Sequence, residues 1–127
     1  MPLVDIEEGM GMLTFASGTQ HVSLPPMEIS DASEENIGLF VKEQNFPIVA
    51  QKTMKAGDAT FHYGYTLHKA PGNSSNQLRE VMTIIYYADG SVISTPENDA
   101  QEADRKSWFN GMNPGELAAS YLNPVVE

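Results

Sequence analysis

The chain has 127 residues, 41% of them hydrophobic and 19% charged, with a formal net charge of −10 and no cysteine. That length suits one domain with one real core, and the charge disfavours nucleic acid and anionic membranes as partners. The missing thiols exclude disulfides and thiolate metal sites, a pattern suited to a reducing cytoplasm.

In chain order, PLVDI reads as a short strand with Pro2 at its first position, where a missing N–H does least harm. EEGMG turns the chain. GMLTFAS then alternates, with Leu13 and Phe15 on one face and Met12 and Thr14 on the other. Residues 17–30 read as an irregular loop. DASEENIGLFVKEQ predicts a helix, with Asp31 as cap, Glu34 closing a capping box, and Ile37, Phe40 and Val41 as its apolar stripe. Pro47 stops that helix, PIVAQKT predicts a strand, and KAGD a turn. ATFHYGY predicts a strand, HKAPGNSSNQL a loop, and REVMTIIYYADG the strongest strand of the chain, β-branched, aromatic and closed by Asp89-Gly90. The tail predicts short helices: one capped by Thr95, opened by Pro96 and ended at Gly111, and a second begun by Asn113-Pro114. The expected organisation is one domain over residues 1–127, with a β-rich body at 1–95 and a helical extension at 96–127. No apolar run reaches the ~18 residues of a membrane span, and the acidic start MPLVDIEEG lacks the basic stretch of a secretory signal.

His21, His62 and His68 form no HxH, HxxxH or HExxH pair, so no local metal spacing exists. A lone histidine is ordinarily a hydrogen-bonded structural residue. The carboxylate pairs Glu7/Glu8 and Glu34/Glu35 read as solvated turn and helix-start residues. There is no GxSxG elbow and no Gly-rich phosphate loop. Arg79 stands out, because it opens the most apolar stretch. A guanidinium aimed toward a barrel mouth is costly to bury without an anion, and its planar fork matches a carboxylate. The plainer reading is an edge residue, or a salt bridge to Asp58 or Glu80.

The run AGDATFHYGYTLHKAPGNSSNQLREVMTIIYYADG resembles the phytanoyl-CoA dioxygenase family of non-haem Fe(II), 2-oxoglutarate-dependent oxygenases. Gly57-Asp58 precedes a segment bearing Phe61-His62. A second histidine, His68, follows six residues later; Asn73 lies in the loop; and Arg79 comes eleven positions after His68, ahead of a hydrophobic run ending in aromatics. Upstream, GMLTFASGTQH is similar to the family's segment G-x-L-x-F-x-x-G-(S/T)-x-H, and NPGELAASYLNPVVE resembles its usual ending.

The resemblance implies an all-β core with helical additions: an incomplete double-stranded β-helix, or cupin-like jelly roll, with one helix in the middle and short C-terminal helices. It also implies Fe(II) held by two histidines and one carboxylate, and hydroxylation of a small organic substrate with consumption of 2-oxoglutarate. By position, His68 resembles the distal metal ligand and Arg79 the partner of the 2-oxoglutarate 5-carboxylate. The sequence departs from the family in two places. No HxD or HxE precedes His68, since Val22-Ser23, Tyr63-Gly64 and Lys69-Ala70 follow the three histidines, and HKA replaces the family's common HGS. The expectation is therefore the C-terminal portion of an oxygenase, either a truncated gene product or a naturally short protein, inactive or weakly active alone and weak for Fe(II). Exposed sheet edges are expected to recruit a second copy as a homodimer. The alternative is a non-catalytic jelly-roll module binding a small carboxylate or a protein partner.

Overall fold

The alternating GMLTFAS segment becomes β1, Thr14–Ala16, the middle strand of a three-stranded antiparallel sheet. On one side lies β2, Ile48–Ala50, and on the other β3, His68–Lys69. Phe15 registers with Val49 and His68, and Thr14 with Ala50 and Lys69. The computed structural model describes residues 1–28 and 30–126. They form two compact units, Met1–Thr83 and Ile84–Glu127.

In the first unit the PLVDI segment pairs at both ends, through isolated antiparallel bridges Pro2↔Val81 and Ile6↔Met54, rather than as a regular ladder. Asp5 holds the 54–57 turn: its Oδ1 accepts from Ala56 N at 2.9 Å and its Oδ2 from Lys55 Nζ at 2.8 Å. A 3₁₀ turn, Thr19–His21, follows β1. Thr19 is fully buried. Its Oγ1 donates to Ala16 O and accepts from Leu67 N, both at 2.8 Å, tying the end of β1 to the approach of β3. Ile6, Met10 and Ala16 are the buried apolar residues of this unit.

The middle helix forms as expected: α1 is Asp31–Glu43. The cap lies one residue earlier than the sequence reading placed it. Ser30 Oγ accepts from Ser33 N at 3.2 Å, which leaves Asp31 and Glu34 in the first turn, where their charge opposes the helix dipole favourably. Ser33 Oγ in turn accepts from Glu28 N at 3.0 Å, fixing the entry of the chain. The helix ends before Pro47, with Asn45 in the left-handed region at φ 55°.

Two expected strands do not form ladders. ATFHYGY carries no strand pairing, and REVMTIIYYADG makes one bridge, at Val81. The reason is that β-propensity measures fit to a neighbouring strand and a half-buried face. The pairing ends at Met82, which exchanges hydrogen bonds with Met1; among the described residues no strand lies beside 83–88, and Ile84, Ile85 and Tyr86 stay exposed.

In the second unit, α2 is Asp99–Trp108. It starts later than the Thr95-Pro96 signal suggested, because Asn98 Oδ1 accepts from Gln101 N at 2.9 Å and takes the capping role. Gly111 does terminate it, at φ 70°, with its N–H bonded to Arg105 O at 3.0 Å. The second expected tail helix is instead a turn with Gly115 at φ 88°, leading into the isolated bridge Val92↔Leu117. Asn113-Pro114 misleads because the same pair opens turns as readily as helices. Ile93 and Ala118 are the buried apolar residues here.

The regular architecture is thus a small three-stranded antiparallel sheet with two α-helices. The described residues do not build the two facing sheets of a complete jelly roll.

Candidate metal and carboxylate site

The short pairing between β1 and β3 sets His68 directly across from Phe15. His68 Nδ1 lies 2.8 Å from Thr66 O. A carbonyl can only accept, so Nδ1 carries the proton and Nε2 is left as the lone-pair donor. This is the arrangement that orients a metal-ligating imidazole.

His62 belongs to the same cluster, and the sequence reading gave it no role. Its ring centroid lies 4.6 Å from that of His68, with the planes tilted by 59°. Phe15 backs both rings, at 5.0 Å from His62 and 6.0 Å from His68. Partial desolvation, and then the proximity of His68, hold the His62 imidazolium pKa below its usual value, which favours the neutral, ligand-competent form. The available signal was the six-residue spacing across the Gly64 turn, too long for any local ligand motif. His21 lies apart from this cluster, beside Gln20 at the end of the 3₁₀ turn.

Arg79 sits at the other end of the loop. Its Nη1 donates to Met10 O at 3.3 Å and to Gly11 O. The loop itself is closed by Asn73, whose Oδ1 accepts from Ser75 N at 3.0 Å and whose Nδ2 donates to Gln77 O at 2.8 Å. Ser74 fastens the loop to Gly9 O through both its N–H, at 2.9 Å, and its Oγ, at 3.0 Å. The 9–11 turn and the 71–79 loop are therefore zipped together, with Arg79 as the last tooth. Gly11 has φ 83°, and a Cβ there would lie 2.3 Å from Pro71 O and 2.5 Å from Arg79 Nη1. Only glycine permits this approach. Neither Asp58 nor Glu80 pairs with Arg79, so the salt-bridge reading does not apply. Among the described residues its Nε and Nη2 have no partner, which leaves one edge of the guanidinium fork unengaged.

A groove of about 500 Å³ runs between α1 and the sheet, with Phe15, Ile37, Val41 and Leu67 on its apolar wall and His68 and Lys69 at its edge. Lys69 Nζ pairs with Glu34 Oε1 across the rim at 3.2 Å; both side chains are solvated, so the pair contributes little stability. Arg79 does not line this groove. His68 and Arg79 are thus held by two different neighbourhoods of the same unit: β1 and the Thr66 carbonyl for one, the 10–11 carbonyls for the other.

Residues 2–81 match the family model described as phytanoyl-CoA dioxygenase (PhyH), which covers more than half of the chain, and the chain belongs to that family. No curated protein and no solved structure gives a significant match.

The family uses Fe(II) and 2-oxoglutarate. The donors present do not make up its two-histidine, one-carboxylate set: among the described residues no three His, Cys, Asp or Glu side chains gather at one point. The His62–His68 pair brings two imidazoles together without an acid.

Proposed function

We propose that the chain is a phytanoyl-CoA dioxygenase-like oxygenase domain, an incomplete double-stranded β-helix in which Arg79 receives the distal carboxylate of 2-oxoglutarate and His68 is the distal metal ligand. The unengaged Nε/Nη2 edge of Arg79 carries this reading. Nη1 is fixed on the 10–11 carbonyls, so the guanidinium is already oriented, and a planar dicarboxylate end fits the remaining edge in bidentate fashion. Among the described residues no carboxylate joins the His62–His68 pair, so the expected turnover of 2-oxoglutarate by these residues on their own is low or nil. Hydroxylation of a small organic substrate then requires donors from outside them.

Calorimetric titration of 2-oxoglutarate with and without Mn(II) tests the assignment. Binding lost in Arg79→Ala and weakened in Arg79→Lys, with the fold intact by circular dichroism, supports the clamp; undiminished binding in Arg79→Ala removes it. A second reading is a non-catalytic module that binds a small carboxylate, in which the open edge of Arg79 serves alone as the anion site. Metal dependence separates the two, because chelation of the keto acid makes binding tighter with Mn(II) only where a metal site exists. The outer strand β2, with Ile48 and Val49 exposed, is the edge through which a second copy would pair in a homodimer. A monomeric mass by light scattering at micromolar concentration rules that pairing out.

A further inference from the structure

We propose that His62 and His68 together form a two-imidazole site for a divalent ion of the imidazole-preferring kind, Zn(II), Ni(II) or Cu(II), with water or a small anion completing the coordination. The geometry of the rings carries the inference. A metal–nitrogen bond is about 2.0–2.1 Å long. Adding the distance from nitrogen to ring centre puts each centroid roughly 3.2 Å from the ion. Two such ligands at tetrahedral or right-angle spacing hold their centroids about 4.5–5.2 Å apart. The observed 4.6 Å lies inside that range, and the rings are tilted by 59° rather than stacked in parallel.

Two features add to this. The Thr66 carbonyl takes the Nδ1 proton of His68 and leaves Nε2 as its donor. Phe15, on the central strand, stands beside both rings, with centroids 5.0 Å from His62 and 6.0 Å from His68. Without a carboxylate in the cluster the donor set is soft relative to the family's, which shifts preference from Fe(II) toward ions later in the divalent series. The inference rests on the reading of His68 as a metal ligand and adds His62 as its partner.

The test uses the full chain without a histidine tag. Ni(II) and Zn(II) are titrated by calorimetry, and Co(II) by its visible spectrum, into the native protein and into His62→Phe, His68→Phe and His21→Ala. Phenylalanine keeps a ring against Phe15 while removing the nitrogens, so folding is preserved; circular dichroism confirms it, and His62→Gln serves if the larger ring disturbs packing. The expected result is one ion per chain, a loss of at least about tenfold in affinity in each phenylalanine variant, and no change in His21→Ala. Native-like binding by His62→Phe with loss in His68→Phe overturns the pair while leaving His68 as a lone ligand. Binding indifferent to both substitutions, or none in the native chain, overturns the pair and the His68 assignment with it.

Discussion

In Met1–Thr83, order comes from backbone pairing around a buried hydroxyl: three strands in register, two bridges that anchor the first residues, and Thr19 spanning β1 and the approach to β3. Among the described residues of Ile84–Glu127 backbone pairing is limited to the isolated bridges Val92↔Leu117 and Ser120↔Asn123, and side chains add staples to the backbone. Arg105 Nη1 donates to Gly111 O and Met112 O, each at 2.6 Å; Tyr87 Oη donates to Ala118 O; and Asn123 Nδ2 donates to Trp108 O at 2.7 Å. The family match ends at residue 81, two residues before the first unit does. All three histidines and Arg79 fall within it. The candidate residues His68 and Arg79 therefore lie in the unit that carries the sheet. Pre-organised ligand groups need a rigid frame, and a ladder supplies one more cheaply in entropy than long polar side chains do.

The largest expected effect lies at Gly11. Gly11→Val adds a Cβ into Pro71 O and Arg79 Nη1 at a positive φ, which costs about 3 kcal/mol or more. Hydrogen exchange should show the 9–11 and 71–79 segments losing protection while α2 amides keep theirs. Equal loss in both units would break the comparison. Next comes Thr19→Val, which preserves shape but leaves Leu67 N without its acceptor in a buried setting, at about 2 kcal/mol. Its signature is a lowered denaturation midpoint together with loosened β3 amides.

How much of this was legible in the sequence depends on the range of the interaction. α1 was readable within a residue at its start, because capping and the apolar stripe are local; Ser30 takes the cap in place of Asp31 because its Oγ accepts from Ser33 N while Ser33 Oγ accepts from Glu28 N, a pair of bonds that a one-letter pattern does not weigh. Gly111 as a terminator was readable for the same reason. REVMTIIYYADG was misread because its residues need a partner strand, and partner strands are not written in the segment itself. His68 and Arg79 were singled out by their order and spacing within the family resemblance. The meeting of His62 with His68 was not, since it depends on the Gly64 turn and on Phe15 filling the space behind both rings. The bonds by which Arg79 holds the 10–11 turn were likewise invisible, because its carbonyl partners lie 68 and 69 residues away.

The helix caps sharpen the comparison at a smaller scale. Ser30→Ala removes the bond to Ser33 N, and Asn98→Ala the bond to Gln101 N, each at about 1 kcal/mol. The α1 variant should lower the stability of a unit that also holds a sheet, and so shift the midpoint with little loss of helicity. The α2 variant acts on a unit with no sheet, so its effect should appear as fraying of 99–102 in helical circular dichroism and amide exchange. Similar fraying in both would mean that α1 gains nothing from the strands beside it.

The smallest expected effect is the response of the second unit to acid. Arg105, first by hydrogen bond, and then Lys106 lower the Glu102 pKa from its usual 4.5 to about 2. Arg105 Nε and Nη2 reach the two carboxylate oxygens at 2.7 and 2.8 Å. A carboxylate depressed in the folded state binds its proton less readily than in the unfolded chain, so its contribution is complete above about pH 4.5 and fades as the pH falls through about 2. Because Glu102 is solvated and the pair is screened, the change is modest and shrinks further in high salt. Protection of the α2 amides, measured from pH 5 down to 2, should fall in the native chain and stay flatter in Glu102→Gln. The Arg105 bonds to Gly111 and Met112 survive that substitution, so the residual protection in Glu102→Gln measures how much of the unit the backbone staples hold without the ion pair. Parallel curves for the two proteins would show that the staples alone maintain α2.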